Sequence, residues 1–123
     1  MTIQSPVLTT STAPDGRPYV KLVAVTTYVD AEVIRDLAAA GCNEFGESRP
    51  QVLWPKAEAL TDLKPRWHQI GHLQRNKLRR TMPIVDLIHS VDSLRLLSAI
   101  ADTQVELDPS TPKAILLEVN VSE

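Results

Sequence analysis

The chain predicts an α/β fold built on a parallel sheet. Five short apolar runs rich in Val and Ile fall at residues 20–26, 43–46, 67–71, 85–89 and 114–121. Segments of helical period lie between them, and the units repeat every ~20 to 28 residues. Alternation on that scale makes successive strands parallel, because the intervening helix carries the chain back across the sheet. With 123 residues, 43% hydrophobic and 23% charged, there is room for one domain. A net charge of −2 gives no general attraction to nucleic acid or to an anionic membrane. The single cysteine, Cys42, has no partner for a disulfide or a zinc site, which points to a reducing compartment and so to the cytoplasm.

Residues 1–18 are rich in Thr, Ser and Pro and have neither a basic start nor an apolar core. They read as a flexible leader rather than a signal peptide or membrane span, with the domain at 19–123. After the first strand, Asp30 is placed to cap a helix with the apolar stripe Val33, Ile34, Leu37 and Ala38, and Gly41 is placed to end it in the left-handed region. After the second strand, Ser48-Arg49-Pro50-Gln51 has the spacing of a capping box with Ser48 as cap. Pro55 removes an amide donor from the middle of that helix, so a kink or a fresh start at Trp54-Pro55 is expected, with residues 56–60 helical either way. A basic helix is expected at 74–80, before Pro83, and another from a cap at Asp92 or Ser93 through Leu94, Leu97 and Ala101. Residues 108–112, Asp-Pro-Ser-Thr-Pro, turn the chain into its last strand. Trp54 and Trp67 read as anchors between helix and sheet. Arg75, Lys77, Arg79 and Arg80 read as a solvated helix face, too short and too poor in aromatic neighbours for a nucleic-acid site.

Four stretches in order carry a resemblance. They are Val20-Lys21-Leu22-Val23-Ala24-Val25-Thr26-Thr27-Tyr28, Phe45-Gly46-Glu47-Ser48, Ile70-Gly71-His72-Leu73-Gln74-Arg75-Asn76-Lys77 and Ile88-His89-Ser90-Val91-Asp92-Ser93. Over nearly all of residues 20–123 the chain resembles the pyridoxal phosphate homeostasis proteins, which are related to the barrel domain of alanine racemase. The resemblance implies a (β/α) barrel, and this chain holds about four and a half units where a closed eightfold barrel takes about 250 residues. The expected architecture is therefore a partial TIM barrel, the N-terminal half of a larger domain. Ligands of such barrels sit at the carboxyl ends of the strands. Thr26, Thr27, Glu47, Ser48, His72, Ser90 and Asn120 would meet there around one mouth.

In the family that the chain resembles, the position of Thr27 holds the lysine that forms a Schiff base with pyridoxal 5'-phosphate. The resemblance thus implies this cofactor as the small-molecule partner, with Thr27, Glu47, Ser48, His72, Ser90 and Asn120 as the cofactor-binding positions. Imine formation needs a primary amine, so covalent attachment at Thr27 is not possible. Lys21 lies at the far end of its strand and Lys113 precedes another. Lys56 and Lys64 fall on a helix and the loop after it, which leaves Lys77 as the lysine near the rim. The family usually reads Gly-Glu-Asn-Tyr where this chain has Gly46-Glu47-Ser48-Arg49, and its phosphate loops come late in the barrel.

The implied function is non-catalytic binding and regulation of the vitamin B6 cofactor, here without a covalent link. An alanine racemase-like enzyme is the disfavoured alternative, since it lacks both the lysine and an assigned acid–base partner. A third reading is a structural half-barrel that self-associates through open strand edges at 20–26 and 114–121. His68 and His89 read as core residues, and the three histidines lack metal-site spacing.

Overall fold

A computed structural model of the chain describes residues 2–3, 7–12 and 18–119. The strands are β1 (Thr2–Ile3), β2 (Val7–Thr12), β3 (Pro18–Lys21), β4 (Ala24–Val25), β5 (Glu44–Glu47), β6 (Arg66–Gln69), β7 (Val85–Val91) and β8 (Ala114–Leu117). The α-helices are α1 (Ala31–Ala39), α2 (Pro50–Ala59), α3 (Leu78–Thr81) and α4 (Leu94–Leu107). Strands β4 to β8 lie side by side in chain order and run parallel. An order that never reverses is that of a barrel wall, whereas a doubly wound sheet reverses at its switch point. The fold is therefore the α/β partial barrel expected from the sequence.

The first apolar run departs from expectation. Instead of one strand over 20–26, β3 ends at Lys21 and pairs antiparallel with β2, while β4 joins the main sheet. The segment expected to be a flexible leader supplies β1 and β2, whose Val-Leu-Thr-Thr-Ser-Thr sequence is rich in β-branched residues. β1 pairs antiparallel with β4, so this edge is occupied rather than open.

Local signals act as expected where they are local. Asp30 Oδ1 accepts from the Val33 amide at 3.1 Å, and Gly41 follows α1 at φ +102°. Ser93 Oγ accepts from the Leu96 amide at 3.1 Å and caps α4. Of the α1 stripe, Ile34 is buried while Val33 is exposed. Pro55 neither breaks α2 nor restarts it; it lies on the exposed face of a helix that runs on from Pro50 to Ala59. The expected basic helix is split into a 3-10 turn at Arg75–Lys77 and the short α3.

Phe45, Trp67 and Ile88 from successive strands join Ile34, Leu53, Leu60, Met82, Leu96 and Ile100 in one core, with the Phe45 and Trp67 rings 5.8 Å apart. Trp67 is thus the sheet anchor that was expected. Trp54 is different: its indole N–H donates to Thr81 Oγ1 at 3.1 Å and the Arg80 guanidinium lies 4.2 Å from its ring, so it joins α2 to α3. No described helix is long and apolar enough to cross a membrane.

Candidate functional site

The carboxyl ends of β4, β5 and β6 bring the expected site residues near one another, but alternation along the strands divides them between two faces. Glu47 shares the helix-facing side of β5 with Phe45. It is fully buried, and its Oε2 accepts from the Thr26 hydroxyl at 2.5 Å and from Lys56 Nζ at 2.9 Å. Lys56 Nζ also donates to the Thr26 carbonyl at 2.8 Å, tying α2 to the ends of two neighbouring strands. The sequence reading left Lys56 on a helix away from the rim. Its side chain instead reaches beneath the rim, and the signal for this was available: Leu53, Ala57 and Leu60 are the sheet-facing positions of α2, and Lys56 lies on their stripe.

Thr27 and Ser48 lie above that network, their hydroxyl oxygens 3.4 Å apart. Ser48 does not cap α2 as the sequence predicted. The N-cap is Arg49, without a side-chain cap bond, because the Ser48 hydroxyl faces Thr27 across the strand ends. The Ser48 carbonyl accepts from Gln69 Nε2 at 2.7 Å, and the same amide reaches the Gly71 carbonyl at 3.3 Å. Gly71 comes so close that a Cβ there would lie 2.5 Å from the Ser48 carbonyl oxygen. His72 is exposed at the rim. Ser90, the penultimate residue of β7, has φ +55°, and its hydroxyl donates to the Ile70 carbonyl at 3.1 Å. Asn120 lies outside the described residues. Gln69 and Gly71, which fix the rim, were not singled out from the sequence. Glu47 Oε1 and Gln69 Oε1 are buried without a partner among the described residues.

On the opposite face of the sheet a second polar group crosses three strands. Glu44 Oε1 lies 2.9 Å from His68 Nε2, and His68 Nδ1 lies 3.1 Å from His89 Nε2. Lys21 and Arg66 approach Glu44 at 3.7 and 3.6 Å. Burial, with a smaller contribution from His68, lowers the His89 pKa from 6.5 to about 4. The unfolded chain binds a proton near 6.5 that folded His89 refuses until about 4, so this stabilisation is complete above pH 6.5 and is lost as pH falls toward 4. We expect stability to drop by about 2 kcal/mol between pH 7 and pH 5, and His89→Gln to flatten that slope. Urea unfolding at the two pH values checks it, and equal slopes in both proteins would refute it. Among the described residues, no group of three or more His, Cys, Asp and Glu side chains is placed to hold a metal.

No family model matches the chain. It is 39% identical over 106 residues to a pyridoxal phosphate homeostasis protein of Aquifex aeolicus (strain VF5), an alignment covering 86% of this chain and 46% of that protein. The structure of PipY from Synechococcus elongatus PCC7942 without PLP superposes with a TM-score of 0.76 at 37% identity, over 82% of this chain and 46% of PipY. PipY with PLP bound superposes with a TM-score of 0.67 at 42% identity, over 69% of this chain and 41% of PipY. The chain spans about half the length of the curated relatives it matches.

Proposed function

We propose, on the premise that this chain is a relative of the pyridoxal phosphate homeostasis proteins over about half their length, that it acts in vitamin B6 homeostasis as a non-catalytic module that holds pyridoxal 5'-phosphate without a covalent tether. The observation that carries this reading is the Thr27–Ser48 pair. At the strand end where the family resemblance puts an amine, the chain offers two hydroxyls 3.4 Å apart, which hydrogen-bond but do not condense with an aldehyde. The cofactor would bring an aldehyde and a phosphate ester. Thr27, Ser48 and His72 fit polar contact with such a molecule and do not fit a permanent link. Glu47 acts from below, holding Thr26 and Lys56 so that the end of β4 keeps its position. Residues 19–123 would form this module, with the cytoplasm as its compartment.

Titration of the purified chain with pyridoxal 5'-phosphate tests the proposal. A saturable absorbance change that dialysis reverses is expected, with no borohydride-reduced adduct at a lysine of the mouth, while Thr27→Lys yields a reduced adduct at residue 27. A borohydride-stable adduct at a lysine of the mouth in the wild-type chain, or no saturable change at all, would refute it.

A further inference from the structure

A small cavity opens between the start of α2 and the loop after β6. It measures about 190 Å³ and is lined by Ser48, Arg49, Gln51, His72, Gln74 and Lys77, together with Pro50. Among the described residues no carboxylate lines it. Arg35 pairs with Asp62, Lys56 with Glu47, Arg66 with Glu44 and Arg79 with Glu106, and none of these pairs borders the cavity. Arg49 and Lys77 have no such acid among the described residues, and both border this cavity. Two cationic side chains bordering one cavity, with no acid beside them among the described residues, give it a positive potential that favours an anion.

The walls are fixed. Gln69 ties the Ser48 and Gly71 carbonyls together, Gly71 packs against the Ser48 backbone, and Lys77 is held 5.8 Å from the Trp54 ring. The first turn of α2 carries no acidic residue and its N-cap makes no side-chain cap bond, so the positive end of the helix adds to the same potential. The cavity is smaller than the ~300 Å³ at which pockets begin to hold a drug-sized ligand, which limits it to a single compact group.

We propose that this cavity is a binding site for one compact anionic group, a phosphate or a carboxylate, held by Arg49 and Lys77 with His72 and Gln74 as further polar contacts. The site goes beyond the cofactor reading, since it needs no amine at residue 27 and none of the late loops to which the family's phosphate binding belongs. Ser48 lines the cavity and also meets Thr27, so a group bound here would adjoin the candidate cofactor position.

Inorganic phosphate titrated into the purified chain, followed by amide NMR shifts, tests this. Saturable shifts at residues 48, 49, 51 and 72–77 are expected, weakened about tenfold or more in an Arg49→Gln/Lys77→Met double variant and unchanged in Arg95→Gln, an exposed change on α4. Should the double variant fail to fold, Arg49→Gln alone, at an exposed position, is expected to weaken binding in the same direction. Displacement of phosphate by pyridoxal 5'-phosphate but not by pyridoxal would identify a phosphate ester as the source, and displacement by acetate a carboxylate. Shifts that do not saturate, or an affinity unchanged in the variants, would overturn the proposal.

Discussion

Lys56→Met is expected to lower the unfolding free energy by about 3–5 kcal/mol, the cost of removing one partner from a buried ion pair. Glu47 is fully buried and its second oxygen, Oε1, already has no partner among the described residues. Without Lys56 the carboxylate would keep only the Thr26 hydroxyl, and the Thr26 carbonyl would lose the ammonium that now lies 2.8 Å away. Methionine fills much of the volume of the lysine stem, so the loss reports on charge rather than on packing. Glu47→Gln in the same background removes the stranded charge and is expected to recover most of the loss. Urea unfolding of the two single variants and the double variant measures the coupling. A change below about 1 kcal/mol for Lys56→Met, the range of surface pairs, would show that the pair does not hold the strand ends together.

Gly71→Ala is expected to cost about 3 kcal/mol, at the upper part of the range for overpacking. The added methyl would meet backbone, with the Ser48 carbonyl oxygen at 2.5 Å and the Ser48 Cα at 2.9 Å, so no side-chain rotation relieves the clash. Gly41→Ala is the informative comparison. Its site has nothing within 4 Å of a new Cβ, but φ is +102°, so its cost is conformational and about 1 kcal/mol. Thermal unfolding of the two variants separates crowding from backbone strain. Should Gly71→Ala lose no more than Gly41→Ala, the close approach of the two loops is not a fixed feature of the rim.

Much of the architecture was legible because its signals are short-range. Asp30 and Ser93 bond to amides three residues away, and Gly41 needs only its own backbone. The strand runs were legible from their spacing between helical segments and from β-branched and aromatic residues such as Phe45, Trp67, Val85 and Ile88, even though β5 and β6 also carry Glu44, Glu47, His68 and Gln69. What was missed depends on residues far apart in sequence. Ser48 had the spacing of a cap, yet Thr27, 21 residues earlier, faces its hydroxyl. Lys56 reads from the sequence only as a residue of the helix that contains Pro55, and its placement follows from two strand ends that a one-dimensional reading does not bring together. The split of the first strand likewise depends on pairing with β2. Motif resemblance located the rim, but it did not separate Glu47, which supports the rim from below, from Thr27 and Ser48, which form it.

The Glu44–His68–His89 row also constrains where its protons reside. With His68 neutral, the ring nitrogen facing the Glu44 carboxylate carries the hydrogen, so the other nitrogen offers a lone pair and His89 Nε2 must donate to it. The polarity of the whole string then runs one way, from β7 through β6 to β5, and His89 is left with a bare Nδ1. While both rings are neutral, each imidazole is thereby confined to a single tautomer, which nitrogen chemical shifts of the two rings would display directly.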